Sequence, residues 1–298
     1  MTNVSALSRP MTQRVAAFLL YLVGGVALFL YGCNTIRELP TNKNALYEWA
    51  LTMVLAVLVI VLRRSERLRP LSRIAFALLA ASLGNSVNLH LGNWLRPLLP
   101  AAGSLLQELT IDKMSQAVPI VLVIILVTLL SGDSLGSIFV QRGNVRQGLA
   151  FGLLSFAAWA AVFAYIAVLQ SGGPDSTGLM ASGVGLDVLI AGIPWILIFC
   201  LTNGFMEELW FRGVSLGKLT PVLGPALSVL VTALVFGSTH LGADYVNLSE
   251  RLIFFGIVFL LGLVNGTVML KTRSIWGSTL FHAGYDLLVI IPILASPR

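Results

Sequence analysis

The sequence predicts an all-α, polytopic transmembrane helix bundle of about nine spans with its N-terminus inside. Three observations carry that prediction. Hydrophobic residues make up 57% of the 298-residue chain and charged residues 11%, against about 25% charged in a soluble domain. Mean hydropathy is +0.89, and the apolar residues fall in long runs rather than in the short alternating segments of a membrane β-barrel. Lys and Arg are divided unevenly among the connecting loops.

The apolar runs lie near Val15–Gly32, Leu46–Leu62, Ile74–Leu91, Val118–Leu130, Gly148–Gln170, Leu186–Met206, Val222–His240, Leu252–Leu270 and Ile275–Leu294. Each approaches the ~20 residues that cross a hydrocarbon core. The fourth is short unless it begins near Met114. With the N-terminus inside, 13 of the 19 Lys and Arg fall in inner segments and 6 in outer ones. The sharpest contrast sets the five arginines of Arg63–Arg73 against the loop Ser171–Gly185, which has no Lys or Arg. The net charge of +6 therefore reads as a topology signal, and nucleic acid is not an expected partner.

Polar, glycine-punctuated residues 132–147 read as an inner-face linker. They separate an N-terminal, accessory group of spans (1–131) from a C-terminal group (148–298) that holds all the clustered chemistry. In the eighth run Gly262 and Gly266 permit close approach of a neighbouring helix. The two cysteines, Cys33 and Cys200, belong to different depths and imply no disulfide. Leu30-Tyr-Gly-Cys33 departs from a lipoprotein cleavage box at its tyrosine, so the first helix is expected to stay uncleaved.

Chemistry concentrates in three places. Glu207, Glu208 and Arg212 put three charges within six positions of an apolar run, where each costs roughly 2.5–3.5 kcal/mol on the insertion scale. His240 closes Phe236-Gly-Ser-Thr-His240, and His282 opens His282-Ala-Gly-Tyr-Asp286. Helical residues four apart share a face, which pairs Glu208 with Arg212, Phe236 with His240 and His282 with Asp286. Neighbours diverge by about 100°, so Glu207 is expected to face the histidines while Glu208 turns to Arg212. Residue types leave two mechanisms open. Glu207 with His240 activates water as a general base, with His282 and Asp286 stabilising the oxyanion. Alternatively Glu207, His240 and His282 ligate zinc as a His₂Glu set.

The series E-E-x-x-x-R, F-x-x-x-H and H-x-x-x-[N/D], each on its own span, resembles the CAAX protease and bacteriocin-processing family of intramembrane endopeptidases, similar to the type II CAAX prenyl endopeptidase. The likeness covers roughly Gly148–Leu294 and leaves the first four spans without a role. It implies a CAAX-protease-like catalytic bundle in which Glu207 and His240 activate water, while His282 and Asp286 form the oxyanion site. Glu208, Arg212 and Phe236 support them. The family is often labelled metalloprotease, and the resemblance also supports a metal-free glutamate mechanism, which is the reading favoured here; zinc is the alternative cofactor. Some relatives carry asparagine where this chain has Asp286. A carboxyl donates to an oxyanion only when protonated, so Asp286 has a second available role in orienting His282.

The expected partners are the lipid bilayer and a membrane-associated protein or peptide substrate. The expected setting is a prokaryotic cytoplasmic membrane, crossed many times. The competing functions are a non-catalytic scaffold or immunity-type protein of the same fold, and a transporter. Asn85, Asn88 and His90 form a polar stripe late in the third run, and Trp210 and Phe211 are expected to pack. Asp244, Tyr245 and Glu250 are candidates for a cleft mouth. A simple topology also sets Glu207 in the inner half of the membrane and His240, about 27 Å along a helix from Val222, near the outer surface.

Overall fold

The computed structural model describes residues 9–33, 40–98, 102–169, 186–242 and 248–295. Asp244, Tyr245 and the loop Ser171–Gly185 lie outside the described residues. Among these residues the regular elements are all helical. They are α1 (Met11–Gly25, continued by the π-helical stretch Val26–Gly32), α2 (Thr41–Arg63), α3 (Arg69–Leu95), α4 (Leu105–Leu130) and α5 (Val145–Leu169). The second group comprises α6 (Leu186–Glu207, continued by the π-helical stretch Glu208–Gly213), α7 (Val214–Leu223), α8 (Pro225–Thr239), α9 (Leu248–Thr272) and α10 (Trp276–Ala295). Eight helical segments among the described residues are long and apolar enough to cross a membrane, and the 20-residue α10 occupies the ninth expected run. Leu122, Leu126, Leu129, Ile253, Ile257 and Leu260 are exposed on the outside of the bundle, as suits a surface whose solvent is lipid.

Two boundaries differ from expectation. The fourth span begins at Leu105 and is 26 residues long. Gln107, Glu108, Asp112, Lys113 and Gln116 break up its first turns and hide them from a hydropathy count. The start is nonetheless marked by Ser104, whose hydroxyl accepts from the Gln107 amide at 3.3 Å, an N-cap. The sixth span does not end at Met206. It runs on through the π-helical stretch and α7 as one segment, Ile190–Leu223, 34 residues long. Gly224 ends it, with φ 81° and ψ 166°, a conformation open to glycine and strained for other residues. Pro225 then opens α8 at the position where its missing N–H costs nothing.

One face of the bundle gathers the connections that the sequence assigns to the inside. Gln13 donates to the Arg67 carbonyl at 2.8 Å, and Arg14 to that of Leu223 at 3.4 Å. Residues of the 132–147 linker are strapped to the α9–α10 turn: the amide of Ile275 donates to the Phe139 carbonyl at 3.0 Å, and that of Asn144 to the Thr272 carbonyl at 2.7 Å. This strap fixes where α10 begins. Above it α9 lies close against α8, because a Cβ on Gly262 would meet the Cα of Ala233 at 3.0 Å.

The N-terminal helices wrap the π-helical stretch of α6. Tyr21 donates to the Phe211 carbonyl and Trp210 to the Ala81 carbonyl, both at 3.0 Å. Phe29 stacks on Phe211 with ring centroids 4.2 Å apart. The charged motif is thereby buried between both halves of the chain.

Candidate active site

Glu208 is the centre of the arrangement. It is fully buried, and its Oε1 accepts from Arg212 Nη1, Asn265 Nδ2 and His282 Nδ1, each at 2.8 Å. One oxygen thus joins α6, α9 and α10. Arg212 is 0% exposed, so it serves as an ion-pair partner inside the bundle rather than as a charge at the membrane surface. Its guanidinium lies over the Phe236 ring, 4.1 Å from the centroid, a cation–π contact that holds α8 to the π-helical stretch.

The expectation that Glu207 and Glu208 divide their partners is half right. Glu208 does pair with Arg212, but it is also the carboxylate nearer to His282. Glu207 Oε2 approaches the other ring nitrogen, Nε2, at 3.6 Å. The two carboxylates do diverge; an imidazole offers a nitrogen on each of two edges, so a single ring reaches both. Asp286 Oδ1 stands 3.6 Å from the same Nε2, and Asp286 Oδ2 accepts from Asn203 Nδ2 at 3.0 Å. With Nδ1 directed at a carboxylate, that nitrogen carries the proton, and Nε2 faces Glu207 and Asp286.

His240 sits at the end of α8, with Nδ1 3.0 Å from the Phe236 carbonyl and 3.0 Å from the Thr239 hydroxyl. A carbonyl can only accept, so Nδ1 is the protonated nitrogen and Nε2 keeps its lone pair. Phe236 stands edge-on to both histidines, with centroids 5.0 Å from His240 and 5.6 Å from His282. It spaces the two rings.

The expected difference in depth between Glu207 and His240 is absent. Both line the same two cavities. The error came from ending the sixth span at Met206 and starting the next at Val222. With the break at Gly224, Glu207 lies 17 residues before the turn and His240 16 after it, about 25 and 24 Å of ideal helix. The arms of the hairpin are equal, and their ends meet.

The smaller cavity, about 180 Å³, brings Glu207, His240, His282 and Asp286 together under Phe199, Phe236 and Phe254. The larger, about 400 Å³, extends from Glu207 and His240 towards α2, α3 and α4. Asn85 and Asn88 line it, whereas His90 accepts from the Trp49 indole at 2.8 Å. Asn203, Asn265 and Lys113, which lines both cavities, were not singled out from the sequence. Asn203 lies one turn before Glu207 and Asn265 is a polar residue in an apolar span; both were available signals.

Zinc held by Glu207, His240 and His282 is the alternative the sequence allows. Among the described residues no three His, Cys, Asp or Glu side chains form a cluster able to hold a metal ion. His282 gives Nδ1 to Glu208, an arrangement that also orients a metal-bound imidazole, so that contact does not separate the two mechanisms.

The family model for "Type II CAAX prenyl endopeptidase Rce1-like" matches residues 189–288, a segment that contains every motif residue from Glu207 to Asp286. No curated protein and no solved structure matches the chain. The matched segment is about a third of the chain, and it agrees with the three motifs and their convergence on one buried cluster: within a multi-pass helical membrane protein, residues 189–288 are similar to the type II CAAX prenyl endopeptidases.

Proposed function

We propose that the chain is an intramembrane endopeptidase that hydrolyses a peptide bond of a membrane-associated protein or peptide without a metal. The observation that carries this reading is the wall shared by the two cavities, where Glu207 and His240 border the same space. Water held there by the Glu207 carboxylate and His240 Nε2 loses a proton to Glu207 as its oxygen attacks the scissile carbonyl. The carbonyl oxygen becomes an oxyanion on the side of His282 Nε2 and Asp286, and a proton held on that nitrogen or on the Asp286 carboxyl donates to it. Collapse of the intermediate breaks the C–N bond, and the proton held by Glu207 passes to the leaving nitrogen. Glu208 and Arg212 take no proton in this scheme. They fix the His282 ring through Nδ1, with Nε2 turned to Glu207 and Asp286. The orientation that accompanies it puts the N-terminus and the arginine-rich face inside.

The test is Glu207→Gln and His240→Ala in the full chain. Each abolishes cleavage while membrane insertion and helicity stay intact, and chelator leaves the parent rate unchanged. Retained proteolysis in both variants sinks the assignment. Full cellular function of Glu207→Gln would favour a scaffold, and ion- or solute-coupled flux in liposomes a transporter. Loss of activity on chelation would return zinc to the site.

A further inference from the structure

The larger cavity has a lining that the hydrolytic chemistry does not use. Besides Glu207 and His240 it carries four carboxamides, Asn44 of α2, Asn85 and Asn88 of α3 and Gln116 of α4. All four come from helices outside the matched segment 189–288. Asn44 and Asn85 are 4% and 3% exposed. Asn44 donates Nδ2 to the Gly32 carbonyl at 2.9 Å, but among the described residues its Oδ1 has no partner, and neither has Asn85 Nδ2. Both residues line one cavity, and each keeps an unpaired amide atom, one acceptor and one donor, buried behind its wall. Buried amide atoms left unpaired are costly, and they mark a place where something else is meant to pair.

A peptide bond can be attacked only after its backbone has left a helix or sheet. Within a bilayer its freed N–H and C=O then find no water to replace the lost partners. A carboxamide supplies both a donor and an acceptor on separate atoms without carrying charge. We propose that Asn44 and Asn85, with Asn88 and Gln116, form a subsite that hydrogen-bonds the extended backbone of the substrate beside the scissile bond. The first four spans thereby gain a role, since they hold the peptide while the last spans cut it. This rests on the endopeptidase reading.

The probe is a farnesylated CAAX peptide, tested on the purified full chain. The variant Asn44→Leu/Asn85→Leu keeps side-chain bulk and removes the amides. Its KM should rise about 10-fold or more with kcat within about 2-fold of the parent, as expected for two lost hydrogen bonds. A second measurement does not depend on how the variant folds. In the Glu207→Gln background, peptides carrying single backbone ester replacements lose one N–H each, and at least one position should weaken binding several-fold. The Leu variant should be indifferent to that replacement.

An unchanged KM in the Leu variant, or an ester scan with no sensitive position, overturns the subsite and leaves the protease reading standing. A fall in kcat alone would mean that the amides deliver water, and also overturns it. Cleavage that persists in Glu207→Gln overturns the catalytic assignment but not the subsite. If the unmodified protein neither binds nor cuts the peptide, both fall.

Discussion

Arg212→Met tests the physical basis of the site most directly. The substitution keeps an unbranched apolar stem and removes the guanidinium, which bonds Glu208 at 2.8 Å with both side chains 0% exposed. Removing one partner of a buried ion pair costs ~3–5 kcal/mol, because the other charge is left behind. Loss of the stacking on Phe236, at 4.1 Å, adds ~0.5–2 kcal/mol. Two donors, Asn265 Nδ2 and His282 Nδ1, stay on the carboxylate and offset part of this. A net loss of ~3–5 kcal/mol remains, a large share of the ~5–15 kcal/mol that holds a typical protein folded. In Glu208→Gln/Arg212→Met the uncompensated charge is gone, while an amide oxygen still accepts from Asn265 and His282. That double variant should recover at least ~2 kcal/mol of the loss, since a neutral pair avoids the desolvation that the lone charge suffers. Unfolding of each purified protein in mixed detergent, followed by circular dichroism, gives the differences. A single variant within about 1 kcal/mol of the parent, or a double variant no more stable than the single, would refute the argument that desolvation of Glu208 dominates.

Other outcomes follow from the packing and the topology. A Cβ on Gly204 would lie 2.9 Å from the Thr279 carbonyl oxygen and 3.0 Å from the Ala283 nitrogen. Gly204→Ala should therefore push α6 from α10, cost ~1–3 kcal/mol, and lower kcat by separating Glu207 from His282; an unchanged melting temperature and rate would contradict that. Cys33 is exposed at the end of the first span, whereas Cys200 is buried. With the N-terminus inside, a membrane-impermeant maleimide added to sealed cells should label the protein once, at Cys33. Labelling only after the membrane is opened would reverse the orientation.

Much of this site was legible because burying charge in lipid is so unfavourable that few residues do it without a purpose. Glu207, Glu208, Arg212, His240, His282 and Asp286 stand out against an apolar background, and the i, i+4 rule pairs Glu208 with Arg212. Less visible was anything whose meaning depends on three dimensions. Asn203 and Asn265 are uncharged, so they cost less than a carboxylate in a span and stand out less, yet they anchor Asp286 and Glu208. The long continuation of the sixth span was hidden because Glu207, Glu208 and Arg212 look like the polar end of a helix when they are its buried middle. Correcting that one boundary moved Glu207 to the level of His240. The amphipathic start of α4 escaped for the opposite reason, because a window that seeks continuous apolar sequence rejects a span whose first turns carry Glu108, Asp112 and Lys113.

The triple bond on Glu208 has a consequence for how the protein is made. Asn265 follows Glu208 by 57 residues and His282 by 74. A ribosome adds ~5–20 residues per second, so for several seconds the carboxylate has Arg212 as its companion and neither of the other donors. During synthesis the span must rest against the helices already inserted, with Tyr21 and Ala81 ready to bind its π-helical stretch. His282 arrives last, and only then is the imidazole locked between its carboxylates. A chain stalled or truncated before α10 lacks His282 and Asp286, so under the proposed function the order of synthesis itself would guard against cleavage by an unfinished protein.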